Sequence, residues 1–154
     1  MLSRLLVNSA AAWFLFFCSA VFAQTVDVQG AWARATVPGQ RASGAFMTIT
    51  SSTDATLISV ASPVAGVVEV HEMKMDGDVM KMRPLHGGLS LPAGKAIELK
   101  PGGYHIMLMD LIVPLVKDTN IPLTLVFRNA RGVETRTELK VAVSGMVPAA
   151  HMDR

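Results

Sequence analysis

Turn signals recur so often along this chain that no regular element between them can be long. Pro38-Gly39, Asp76-Gly77, Pro92-Ala93-Gly94, Pro101-Gly102-Gly103 and Arg131-Gly132 punctuate it. Glycine reaches backbone angles closed to other residues and proline cannot continue a helix, so such clusters end regular structure. Between them, short runs alternate apolar and polar residues at 44–50, 56–61, 67–75, 79–83, 97–100, 105–110, 123–128 and 135–143. A period of two marks a half-buried strand, and helical periodicity is almost absent. Several short strands at regular spacing predict an all-β sandwich or barrel. Pro114 and Pro122 are expected to bracket a connecting loop, because proline donates no ladder hydrogen bond. The alternation is lost after residue 143, so 144–154 reads as a mobile tail.

The first 23 residues read as an export signal. Arg4 supplies a positive start, residues 10–23 are almost wholly apolar, and Val21-Phe22-Ala23 places small residues where a cleavage site needs them. An uncleaved anchor is the competing reading, since 5–23 is nearly long enough to span a bilayer. Cys18 also raises a lipid-attachment reading, but Leu15-Phe16-Phe17 before it lacks the small residues that such a signal requires. Cleavage before Gln24 and release into the periplasm, with no stable membrane insertion afterwards, is the expectation. One domain, 24–143, would then follow.

Charge excludes one class of partner. The chain holds 14 Lys plus Arg against 12 Asp plus Glu, and removing Arg4 leaves 13 against 12. No basic run exists that could neutralise a phosphate backbone, so no nucleic-acid partner is expected. The single cysteine, Cys18, lies in the export segment, so the mature domain has no thiol and must hold together by packing alone.

Histidine and methionine carry the chemistry. Asp76-Gly77 between two alternating runs is a strong hairpin signal. If these two residues form the loop, Met73 faces Met80, Glu72 faces Lys81 and His71 faces Met82. Directly opposed side chains have Cβ atoms about 4.5–5.5 Å apart, within reach of one metal ion. His105 and Met107, two positions apart on a predicted strand, point to one face. Docked together, these runs supply two imidazoles and two thioethers. Thioether sulfur is a soft donor that selects Cu(I); a set without thiolate or carboxylate suits zinc and calcium poorly. The expected metal ligands are His71, Met82, His105 and Met107.

Each of these residues also has a plainer reading. Methionine is a common core filler, and Met47 fits that role. Met73, Met75, Met80 and Met109 share the ligand-bearing faces and read as a soft apolar surround, with Met80 or Met73 in reserve as a ligand. His86, between Pro84-Leu85 and Gly87-Gly88, reads as a solvated loop residue, and His151-Met152 as an optional accessory site. Trp32 and Tyr104 read as packing or interface aromatics. A Ser-His-Asp or Cys-His constellation is absent, so an enzyme is not expected. A blue-copper electron carrier would need a cysteine ligand that the mature domain lacks. A copper store or scavenger and a metal-free β-sandwich adaptor are the alternatives.

The stretches Val70-His71-Glu72-Met73-Lys74-Met75, Met80-Lys81-Met82-Arg83-Pro84 and Lys100-Pro101-Gly102-Gly103-Tyr104-His105-Ile106-Met107 carry a resemblance. With ten residues between His71 and Met82, and 22 between Met82 and His105, they resemble the PCuAC family of periplasmic copper chaperones. The resemblance runs from Ala31-Trp32-Ala33-Arg34-Ala35 through Val126-Phe127. It implies a cupredoxin-like Greek-key β-sandwich or barrel that holds Cu(I) through His71, Met82, His105 and Met107. It further implies delivery of copper to the dinuclear copper site of cytochrome c oxidase, often beside Sco-type proteins; the domain is expected to be a monomer.

Overall fold

A computed structural model of the chain describes residues 25–145. The export segment with Cys18, most of the tail, and His151 and Met152 lie outside the described residues. Among those described there are ten strands and no helix. They are β1 (Val26–Arg34), β2 (Ala42–Ser51), β3 (Ala55–Ala61), β4 (Ala65–Asp76), β5 (Val79–Pro84), β6 (Leu89–Leu91), β7 (Ala96–Leu99), β8 (His105–Leu111), β9 (Asn120–Asn129) and β10 (Glu134–Ser144).

The eight expected strands are all present. Two more, β1 and β6, were not legible as alternation. In β1 the alternation breaks at Gly30 (φ 60°), where the register against β2 slips by one residue. Such a bulge turns the following side chains to the opposite face. Val26 and Val28 pack toward the core before it, and Ala31, Ala33 and Ala35 after it. Trp32 and Arg34 are thereby sent to the outer face. The three-residue β6 is too short to show a period.

Hydrogen bonding runs in the order β5-β4-β8-β2-β1-β10-β9-β3-β6, with β7 also on β2. The β1–β10 pair is parallel and every other pair antiparallel. The strand β2 is shared, pairing with β8 through 42–45 and with β7 through 47–50. One face of this long sheet folds over on itself around a single core that includes Met47, Ile49, Leu57, Ile106, Leu108, Leu125 and Phe127. Each such side chain contributes about 1.5–3 kcal/mol on full burial. This burial replaces the crosslinks that the domain lacks.

Pro122 departs from expectation. It lies inside β9, opposite Lys140 of β10, and not in a loop. Its carbonyl accepts a hydrogen bond from the Ser62 hydroxyl at 2.6 Å, on the side of β3. The pairing of β3 with β9 ends at Thr124, so the N–H that proline lacks would have had no strand partner there. Ser144, expected to start the tail, is instead the last residue of β10.

Candidate metal centre

The β4–β5 hairpin forms as predicted, but in a different register. Asp76 pairs with Val79, so Gly77 and Asp78 are the loop residues. Gly77 has φ 64° while Asp78 is not left-handed, the φ pattern of a type II′ turn with glycine first. A loop of Asp76-Gly77 in a type I′ turn would have forced Asp76 itself to positive φ. The whole register therefore moves by two positions. His71 opposes Pro84 instead of Met82, Met73 opposes Met82, and Met75 opposes Met80. Glu72 opposes Arg83 and pairs with it at 3.1 Å, while Lys81 turns to Asp76. A shift of two keeps every side chain on its expected face. Convergence of His71 and Met82 by direct opposition is thus corrected, yet both still share one face.

The other neighbour of β4 completes the arrangement. Strand β8 begins at His105, which opposes His71 directly, and Met107 opposes Glu69. On the far side of β8, Met107 opposes Gly44 of β2. The outer face of four adjacent strands therefore carries Glu69, His71 and Met73; His105 and Met107; Gly44 and Phe46; and Trp32 with Arg34. The two imidazole rings lie 5.9 Å apart between centroids. Phe46 stacks on Trp32 at 4.6 Å and lies 6.5 Å from the His105 ring, with the Arg34 guanidinium 5.8 Å over its face. Gly44 makes room for this: a Cβ there would sit 2.8 Å from the Phe46 ring.

Hydrogen bonds assign the free lone pairs. Nδ1 of His105 lies 3.0 Å from the Gly103 carbonyl; a carbonyl only accepts, so Nδ1 carries the proton and Nε2 presents its lone pair. That Nε2 faces the Met82 sulfur at 3.1 Å, so two lone-pair donors point at one another. Metal bonds of about 2.0–2.3 Å, as zinc makes to nitrogen and sulfur, can span such a pair. In His71, Nε2 donates to the Glu69 carboxylate at 3.0 Å, which leaves the lone pair on Nδ1. That atom is buried and, among the described residues, is the one buried side-chain N or O without a hydrogen-bond partner. Buried polar atoms are rarely left so. Glu69 here orients an imidazole as a carboxylate behind a metal ligand does.

Met82, His105 and Met107 line a common cleft of about 280 Å³, together with Met73, Gly44 and Phe46. His71 adjoins it through the His105 ring. The histidines are only 7% and 6% exposed, whereas Met82 is 49% exposed. Among the described residues no three His, Cys, Asp or Glu side chains gather as a metal-binding group, so any site here depends on the thioethers. His86 is exposed in a turn, as expected. The sequence reading missed Glu69, Gly44, and the role of Phe46 and Trp32 as a wall. Glu69 had a signal, since it stands two residues before His71 on one strand; the others are brought in by β2 and β1, which only the fold places.

Comparison with known proteins agrees with this architecture. The model of a family described as "Putative lipoprotein LpqE-like" matches residues 26–141. A relative from Leifsonia xyli subsp. xyli (strain CTCB07), "Putative lipoprotein Lxx21020", is 34% identical over 105 residues, 68% of this chain. The aligned region spans 63% of that relative's length. Among solved structures, the copper-bound PCuAC domain from PmoF2 matches with a TM-score of 0.61 at 21% identity, over 79% of this chain and 93% of that one. The Cu(I) form of DR1885 from Deinococcus radiodurans matches at 0.58 and 26% identity, over 77% of both chains. Its apo form matches at 0.54 and 28% identity, over 94% of this chain and 97% of that one. The fold is that of PCuAC domains.

Proposed function

This chain belongs to the LpqE-like family, and from that membership and the outer-face geometry we propose that it is an exported copper chaperone. His71, Met82, His105 and Met107 hold Cu(I) as cargo, and the protein passes it to the dinuclear copper site of cytochrome c oxidase. The observation that carries the reading is the approach of His105 Nε2 to Met82 Sδ at 3.1 Å, with the proton of that ring held on the other nitrogen. Copper bound to the structural neighbours from PmoF2 and Deinococcus radiodurans supports the choice of metal, as does the softness of thioether sulfur.

A chaperone must release what it captures. Three of the proposed ligands stand on β4 and β8 within the main sheet, where β8 is held on both sides. Met82 stands on β5, an edge strand paired only with β4, and is half exposed. An incoming donor therefore displaces Met82 first, leaving the buried histidines to let go in turn. Mixing the Cu(I)-loaded protein with the apo copper domain of an oxidase, with and without a Sco-type thiol protein, tests delivery. Copper is expected to move to the acceptor, followed by NMR or native mass spectrometry. Copper that stays put at equimolar acceptor in both mixtures identifies a store or scavenger instead. Failure to bind Cu(I) at all identifies a metal-free adaptor.

A further inference from the structure

Beyond His71, β4 has no partner except β5, since the pairing with β8 ends at the His71–His105 position. The remainder, 72–76 with 79–83, is a two-stranded ribbon projecting past the sheet. Its two faces differ completely. One carries Glu72, Lys74, Asp76, Val79, Lys81 and Arg83, with ion pairs Glu72–Arg83 and Asp76–Lys81. The other carries Met73 opposite Met82 and, one rung further out, Met75 opposite Met80. Met75 is 56% exposed and Met80 49%. The inner rung reaches His105; the outer rung touches none of the proposed ligands by register.

We propose that Met75 and Met80, completed by Met73, form a second, outer Cu(I) site on this ribbon. The proposal rests on the reading of the inner centre as a copper site and adds an entry station next to it. Opposed side chains on a two-stranded ribbon have Cβ atoms about 4.5–5.5 Å apart, a span that two flexible thioethers close around one soft ion. A merely apolar contact face would be built as well from leucine, isoleucine or valine, yet all four ribbon positions on this face are methionine. Thioethers without imidazole bind Cu(I) weakly and exchange it readily, while a site one rung further in adds nitrogen donors. Copper arriving at the exposed tip thus meets progressively stronger ligands toward His105. On the opposite face Glu72 pairs with Arg83 and Asp76 with Lys81, which leaves the methionine face as the soft one.

The test uses the exported protein carrying 13C-methyl methionine, titrated with Ag(I), a redox-inert ion with the ligand preferences of Cu(I). The first equivalent is expected to shift the Met82 and Met107 methyls, and the second those of Met75 and Met80. A Met75→Leu/Met80→Leu variant keeps the apolar surface, and is expected to retain the first event and lose the second. If Met82 and Met107 respond but Met75 and Met80 never do, or if the second equivalent goes to Met152, the outer site is overturned and the inner one stands. If Met82 and Met107 fail to respond to the first equivalent, the inner-site reading falls, and the outer site proposed beside it falls with it.

Discussion

At the scale of single residues, the candidate centre separates side chains held by the sheet from one held by a ribbon. His71 and His105 are buried and each has one ring nitrogen committed to a hydrogen bond. Met107 is half-buried between Gly44 and Glu69 on neighbouring strands. Met82 is the accessible member. Replacing Met82 by alanine removes a sulfur from a half-exposed site, so stability should change by no more than about 0.5 kcal/mol. Met107→Ala empties part of a packed position and should cost more, about 1 kcal/mol. Both variants should bind Cu(I) at least tenfold more weakly while zinc binding, poor from the start, stays unchanged. Competition titration beside denaturant unfolding checks this. Undiminished Cu(I) affinity in both would return the two methionines to a packing role.

At the scale of elements, the hairpin decides which thioethers approach His105. Its register depends on Gly77 taking φ 64° at the first loop position. A β-branched residue pays about 1–2 kcal/mol for a left-handed backbone, and a ribbon paired only with itself has little else to resist with. Gly77→Val should therefore fray 72–82 and weaken Cu(I) binding while the core strands keep their protection. Amide hydrogen exchange reads both: faster exchange confined to the ribbon is the expected result, and unchanged exchange there would show that the turn does not set the register. The hairpin's existence was legible from Asp76-Gly77 between two alternating runs. Its register was not, because a glycine at positive φ serves either loop position, and the registers differ in whether Asp76 must take positive φ as well. The predicted face survived because the two registers differ by an even number of residues.

At the scale of the whole molecule, one long sheet folded over a single core presents the candidate metal ligands on its outer face, opposite the face that buries Phe127 and Leu125. Chemistry can thus change on the surface without disturbing what holds the domain together. Where that surface works depends on the first two dozen residues. Membership in a family described as lipoproteins brings Cys18 into competition with the Ala23–Gln24 junction as the processing point. The apolar stretch and Val21-Phe22-Ala23 predict cleavage before Gln24. Intact-mass measurement of periplasmic and membrane fractions distinguishes the two: an N-terminal Cys18 carrying acyl mass in the membrane fraction would overturn the Gln24 start and tether the domain.

Local sequence sufficed for whatever depends on neighbours along the chain. Alternation determined eight strands and the spacing of His105 and Met107 determined their shared face, because periodicity is a property of the residues themselves; ligand softness, likewise local, is what makes Cu(I) the metal to propose. Only the tertiary structure decided what depends on contact between distant segments. It set His71 opposite His105 across 34 positions of chain, brought Gly44 and Phe46 beside Met107 and His105, and turned Trp32 outward through the Gly30 bulge. It also kept Pro122 within a strand whose neighbour had already ended. Strand pairing is a choice among registers and partners of similar local merit, and it is settled by which arrangement buries the common core.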